Sequence, residues 1–345
     1  MTVHEPWQRA AAPRQRRDRR LGAARWPVAG GLVAGTLLDA IFTDPPRGHP
    51  VAAFGRAATA LEARTYAATR TRGAVHAAAC LLGAAAPAAA ADYLTRGRPV
   101  LRLAVTAAVG WAVTGAGSLA HEAERLALAL ESGDVAAAQA RLPALCGRDP
   151  ARLGPVGLAR AAVESVAENT CDAVVAPLLW GAAMGVTGLA GYRVVNTLDA
   201  MVGHRCPRYL DFGWAAARLD DVANAVPARL TSLLAAACAP AVGGRPGAAL
   251  RTARAFGARH PSPNAGRCEA AFAGALGVRL GGTNVYGGVI EDRPQLGNGR
   301  PAAPADIRRA VRLSRAVTWA AVAVSAILAA ASDWRRPARG REEQG

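Results

Sequence analysis

The chain has 345 residues, a formal net charge of +16, 52% hydrophobic residues and only 5% aromatic ones. All 41 basic side chains are arginine, which excludes a lysine Schiff base to pyridoxal phosphate and a Walker A loop, because both need the lysine amine. The six cysteines form no C-x-x-C pair and the six histidines are scattered, so the usual zinc spacings are absent and the thiols read as reduced. Dispersed arginine with few aromatics and no recognised motif argues against nucleic acid, and a membrane surface and anionic small molecules explain the charge better.

Residues 1–25 form an arginine-rich head centred on "RQRRDRR", whose composition predicts disorder. An apolar run follows from Trp26 to Phe42, broken only by Asp39. It reads as a signal-anchor helix, and a carboxylate inside it is costly unless partnered or functional. The segment 43–73 opens with "DPPRGHP", a rigid turn that places Asp44, Arg47 and His49 near the membrane surface.

The apolar stretches 74–94, 99–120, 173–192, 230–244 and 316–332 are compared with the roughly 20 residues that a span needs. Those at 99–120, 173–192 and 316–332 pass on length. The stretch 230–244 is short unless it extends back toward Val222. Residues 74–94 are so rich in alanine that a buried soluble helix competes with a span. If 173–192 crosses, the polar segments flanking it lie on opposite faces; if it is re-entrant, both lie on one. With no repeat and no long alternation, the chain reads as all-α. It is expected to be a polytopic membrane protein with about four to six spans, its helical polar segments forming the site. One domain covers 26–333, followed by a charged tail at 334–345.

The polar segments carry the chemistry. In "AVESVAENTCDAVVAP" the acids Glu164, Glu168 and Asp172 recur every four residues and so share a helix face. Three like charges there suit a hard cation such as Mg²⁺; the alternative is a solvated face salt-bridged to arginines such as Arg160. Residues 192–230 crowd Asn196, Asp199, Arg205, Arg208, Asp211, Arg218, Asp220, Asp221 and Asn224 into a short reach. The acids there suit a metal, and the arginines suit phosphate. In "SPNAGRCEAAFAGALGVRLGGTNVYGG" Asn264 reads as the N-cap of a helix with small packing residues at Ala270, Gly274 and Gly277. Gly281-Gly282 reads as its end, before a glycine-rich loop containing Asn284 and Tyr286.

Four stretches together resemble the CobD/CbiB family of cobalamin biosynthesis, the adenosylcobinamide-phosphate synthases. They are "LLDAIFTDPPRGHPV", "RAAVESVAENTCDAVVAPLLW", "YRVVNTLDAMVGHRCPRYLDFGWAAARLDDVANAVPARLT" and "SPNAGRCEAAFAGALGVRLGG", in the family's order between residues 32 and 288. Departures lie at Ala52-Ala53-Phe54, Cys171 and Arg267-Cys268.

The resemblance implies a multi-pass enzyme of the inner cell membrane. It would join adenosylcobyric acid to (R)-1-amino-2-propanol or its O-phosphate through an ATP-dependent amide bond, with Mg²⁺. On that basis Glu164, Glu168, Asn169, Asp199, Asp220 and Asp221 are expected to be catalytic, and Glu168, Asp172 and Asp221 to hold the metal. Asp44, His49, Asn196, Arg205, Arg208, Arg218, Asn264, Asn284 and Tyr286 are expected to bind substrate. Expected partners are the corrinoid and aminopropanol (phosphate) substrates, membrane lipid and other late cobalamin-pathway membrane enzymes, with no nucleic acid. Competing readings are a transporter, which would need polar groups within the spans, and a non-catalytic membrane relative.

Overall fold

The computed structural model describes residues 26–43, 48–286 and 289–331. The head, the tail, Asp44 and Arg47 lie outside the described residues. The fold is helical apart from one small sheet, and four helical runs are long and apolar enough to cross a membrane: Arg70–Leu94, Pro99–Glu131, Ala225–Val242 and Pro304–Ala331. A shorter apolar helix, α1, covers Trp26–Phe42.

α1 lies against α4 (Pro99–Val113) through small residues. A Cβ on Gly35 would stand 2.8 Å from the Ala107 carbonyl oxygen, so the glycine is what lets the two backbones approach. Between them in sequence come α2 (Pro50–Thr65) and α3 (Arg70–Leu94). The α3 surface presents Val75, Leu82, Tyr93 and Leu94 outward, each more than half exposed. A helix whose exposed side is apolar belongs in lipid, and this overturns the buried soluble alternative for 74–94. α5 (Ala116–Glu131) and α6 (Val135–Arg141) follow α4.

The stretch 173–192, open in sequence between a crossing and a re-entrant run, is built as two helices that reverse at Gly185. α7 (Pro155–Thr170) runs through a widened π turn at Cys171–Val175 into α8 (Ala176–Met184). Ala176 N–H bonds the Cys171 carbonyl, five residues back, just before Pro177, which has no N–H to continue the ladder. The chain then reverses at Gly185 into α9 (Val186–Val202), which packs back along α8. Gly185 has φ +66° and ψ −144°, and a Cβ there would meet Asp92 Oδ1 at 2.8 Å, so only glycine suits the corner. Asp92, near the end of α3, accepts from Thr187 N–H at 3.0 Å and Thr187 Oγ1 at 2.9 Å, satisfying the start of α9. The hairpin therefore brings its two ends, Asp172 and Asn196–Asp199, to the same side.

α10 (Trp214–Ala223) leads into α11 (Ala225–Cys238), whose apolar run extends back to Ala225 as its length requires. α12 (Pro246–Phe256) and the buried α13 (Ala265–Leu276) pack on it. The helix ends at Gly277, not at Gly281-Gly282. Those two glycines sit in β1 (Val278–Tyr286), where the register shifts between Leu280 and Gly282. β1 pairs antiparallel with β2 (Val289–Leu296) and briefly in parallel with β3 (Arg300–Pro301). The loop expected from the glycines is thus a strand with a bulge. α14 (Pro304–Ala331) closes the bundle against α1, α5 and α7.

Candidate functional site

The open ends of the α8–α9 hairpin meet α10 in a cluster of carboxylates and amides. Asn196 Nδ2 lies 3.4 Å from Asp172 Oδ2 and 3.5 Å from Asp220 Oδ1, bridging acids 48 residues apart in sequence. Asn224, buried behind them, donates Nδ2 to both oxygens of Asp220 at 3.1 Å. Its own carbonyl accepts from Tyr192 OH at 2.9 Å. Asp172, Asp199 and Asp220 are half-buried, so the acids line an accessible mouth over a fixed amide floor.

Asp172 and Asp220 are held by amides rather than by arginines. Among the described residues, no ion pair falls on Asp172, Asp199 or Asp220. Their charges therefore repel. Burial, then Asp220, Asp221 and Glu168, pushes the Asp199 carboxyl up to about 7. Burial raises Asp220 to about 6, with the bonds from Asn224 and Asn196 opposing. Asp172 is pushed well above the ordinary carboxylate range by burial, with Cys171, Asp220, Glu168 and Asp199 adding to it. Glu168 is raised mainly by burial, against the lowering charges of Arg293 and Arg148.

Glu168 links this cluster electrostatically to a second group of charged residues that contains arginines. There Glu164 pairs with Arg148, and its Oε1 accepts from Gly281 N–H at 2.6 Å. Arg160 donates to the Gly281 carbonyl, to the Thr283 carbonyl at 2.8 Å and to Asn284 Oδ1 at 3.0 Å, fastening β1 onto α7. Glu269 is buried 3.9 Å from His260 Nε2, and Arg293 Nη1 lies 3.3 Å from the same nitrogen. Burial, then Glu164 and Glu168, pushes Glu269 well up, while burial and Arg293 push His260 down. Sequence reasoning missed Arg148, Tyr192, His260, Glu269 and Arg293 as members of the site. Only the buried setting, which no local spacing reports, picks them out.

The expected site residues do not all converge. Glu164 is neutralised by Arg148 and serves to anchor β1. Asp221 turns to Arg218 at 3.7 Å, and it is Asp220 that faces Asp172 through Asn196. Asn169 donates its amide back to the Ser165 carbonyl at 3.0 Å. Asn264 reaches the site's edge, its Nδ2 donating to the Asp221 carbonyl at 2.8 Å. It precedes α13 without a side-chain cap, and Ser262 Oγ instead accepts from the Asn264 and Ala265 N–H groups at 3.3 and 3.2 Å.

Arg205 is exposed. Arg208 pairs with Glu62 at 2.9 Å and stacks over Tyr66 at 4.3 Å from the ring centre, where it ties α2 to the loop after α9. His49 caps α2, its Nδ1 accepting from Val51 N–H at 3.3 Å. Asp44 and the side chain of Tyr286 lie outside the described residues.

No group of three or more His, Cys, Asp or Glu among the described residues converges into a metal cage. The donor set is nevertheless oxygen-only, uncompensated and partly open. That fits Mg²⁺, which uses one or two carboxylates plus phosphate and water.

The family profile described as CobD/Cbib protein matches residues 32–314. The chain belongs to the CobD/CbiB family. Among its relatives, the "Cobalamin biosynthesis protein CobD" of Mycobacterium tuberculosis (strain ATCC 25618 / H37Rv) is 55% identical over 309 residues, covering 89% of this chain and 97% of that protein. The protein of the same name from Geobacter metallireducens is 43% identical, covering 87% and 96%. That of Stutzerimonas stutzeri is 38% identical, covering 88% and 97%. No solved structure matches the chain. Family membership and the four long apolar helices make this a cobalamin-biosynthesis protein with the build of a membrane protein.

Proposed function

We infer that the protein catalyses ATP-dependent amide formation between adenosylcobyric acid and (R)-1-amino-2-propanol or its O-phosphate, in the inner membrane. The observation that carries this reading is the cluster of carboxylates at Asp172, Asp199 and Asp220, in which Asn196 bridges Asp172 and Asp220 and Asn224 holds Asp220, with no arginine pairing on the three among the described residues. Such a cluster asks for positive charge from its ligands, and the divalent ion that accompanies a nucleotide and an ammonium both bring it.

A carboxylate does not condense with an amine near neutral pH without activation. In the proposed reaction the corrinoid carboxylate oxygen attacks the terminal phosphorus of ATP and ADP leaves. The amine nitrogen then attacks the acyl carbon, inorganic phosphate leaves, and the ammonium proton passes to a carboxylate. Asp199, held at about 7, has the affinity a base needs at neutral pH. Asp172 and Asp220, with Glu168 and Asp221 beside them, would hold Mg²⁺. When bound, the ion supplies charge neutralisation to the transferring phosphoryl group. Arg218 borders Asp221 and Arg293 borders Glu168, placing guanidinium groups where phosphate oxygens would need them.

The test is to incubate detergent-purified full-length protein with adenosylcobyric acid, aminopropanol phosphate, ATP and Mg²⁺, and to seek the amide by mass spectrometry. Product that requires ATP and is lost in Glu168→Gln supports the reading. Absence of product where a working synthase gives it refutes the reading.

A further inference from the structure

α10 carries Asp220 and Asp221, and at 10 residues it is far too short to cross a bilayer. Both of its ends are tied to places where spans begin. At its start, Trp214 lies under the guanidinium of Arg70, 5.4 Å from the ring centre, and Arg70 Nε donates to Asp211 at 3.2 Å. Arg70 is the first residue of the membrane-length run Arg70–Leu94. At its end, Ala223 is followed by Asn224 and then by Ala225, which opens the run Ala225–Val242. A helix of this length reaches about 15 Å. That cannot bridge a hydrocarbon core of roughly 30 Å. The two spans therefore begin on one side of the bilayer, and α10 runs along that side.

The helix has three kinds of surface. On its inner side Ala215 and Ala216 are buried with Leu198 and Val202 of α9. Asp220 turns to Asn196 and Asn224 in the acid cluster. On the outer side Trp214, Leu219 and Val222 are exposed, Val222 by 74%. At roughly 100° per residue, Val222 and Asp220 point about 160° apart, so the apolar side and the acid side are nearly opposite. The apolar surface runs on without a break in sequence to Val226 and Leu233 of α11, both more than half exposed. α10 also packs on α3, whose Val75 is turned outward near the same end. Arg218, with a side-chain exposure of 66%, and the exposed Arg229 border the patch. A contiguous apolar surface of this kind marks a binding face. Tryptophan and arginine at the ends of spans mark the headgroup level, where arginine lays its stem along apolar surface and keeps its charge in water.

We propose that α10 lies in the boundary between lipid headgroups and acyl chains, with Trp214, Leu219 and Val222 among the chains and Asp220 turned to the acid cluster. The occupant of the outer face is lipid rather than a second protein, because the patch is continuous with the lipid-facing sides of α3 and α11 and is bordered by arginines that suit headgroup phosphates. One short helix thus sets the depth of the cluster. The acids open at the membrane surface, and their ligands reach them through the headgroup layer. The inference concerns where the cluster stands and does not rest on the reaction it serves.

The test places the full chain in phosphatidylcholine nanodiscs. The chain has seven tryptophans, so the emission of Trp214 is read as the difference between wild type and Trp214→Phe. Lipid brominated near the carbonyl end of its acyl chains should remove most of that difference. Lipid brominated near the methyl end should remove less, and aqueous iodide little. A second measurement needs no variant. A phospholipid with a diazirine in its acyl chain is photolysed in nanodiscs holding wild type, and the labelled residues are mapped by mass spectrometry. Label should fall on Leu219 or Val222 as well as on Leu233, which serves as the control inside a span. Loss of the Trp214 emission to iodide but not to brominated lipid places α10 in water. Loss to neither quencher, with label on Leu233 alone, places it against protein, such as a second copy of the chain. Stronger loss to bromine at the methyl end places it below the boundary. Each of these three results overturns the proposal.

Discussion

Replacing Asp199 with asparagine should flatten the pH dependence of stability. Burial and the neighbouring acids hold the folded carboxyl at about 7, against an ordinary 3.8. The folded state therefore keeps a proton that the unfolded chain has lost. The stability this confers is complete below about pH 4 and is lost as pH rises through 7. At about 1.36 kcal/mol per unit, the whole loss is about 4 kcal/mol, and roughly 2.5 kcal/mol of it falls between pH 5 and pH 8. With about 2 °C per kcal/mol for a large domain, wild type should lose about 5 °C more than Asp199→Asn across that window. Thermal unfolding in detergent without divalent cations reads this directly. The variant's residual slope belongs to the other raised carboxyls, Asp220 at about 6 together with Asp172, Glu168 and Glu269. Added Mg²⁺ should stabilise wild type more at pH 8 than at pH 5, because the ion binds the ionised acids. Parallel slopes for wild type and variant would refute the argument that these carboxylates share an uncompensated site.

Glu168→Gln and Asp221→Asn should each lower amide formation by about a hundredfold or more with unfolding temperature retained, read by product mass spectrometry. Arg148→Met should cost about 3–5 kcal/mol by stranding buried Glu164 without its partner, and adding Glu164→Gln should recover part of the loss; thermal unfolding of the single and double variants checks this. Gly185→Ala should cost about 1–3 kcal/mol, since its corner has a positive φ with extended ψ and Asp92 fills the space. It should lower unfolding temperature without shifting the KM for ATP.

Much of this was legible in the sequence because helices write locally. The four-residue recurrence of Glu164 and Glu168 gave one face of α7, and apolar length gave the spans. What local spacing could not report was partnership. Glu164 and Glu168 look alike in sequence, yet Arg148, arriving from the turn before α7, neutralises the first, while the second stands between the two charged clusters. The choice between a crossing and a re-entrant run at 173–192 stayed open because the reversal is made at one glycine, Gly185, and the bond of Thr187 to the distant Asp92 leaves no local mark in the sequence. The β1–β2 hairpin was hidden because Gly281-Gly282 and the charged "IEDRP" of β2 are poor strand formers. Packing onto α7 through Arg160 and Glu164 holds β1 extended, and pairing with β1 holds β2. Asn264 looked like a cap because asparagine caps helices, but Ser262 reached the free N–H groups first and left the Asn264 amide for Asp221.

The central claim, that this acid cluster serves ATP-driven activation of a carboxylate, is tested most directly by an isotope. Adenosylcobyric acid labelled with oxygen-18 in its free carboxylate should deliver one labelled oxygen to inorganic phosphate for each amide formed, and Glu168→Gln should deliver almost none. Label appearing in AMP, or amide formed with no label leaving the corrinoid for phosphate, would contradict the account.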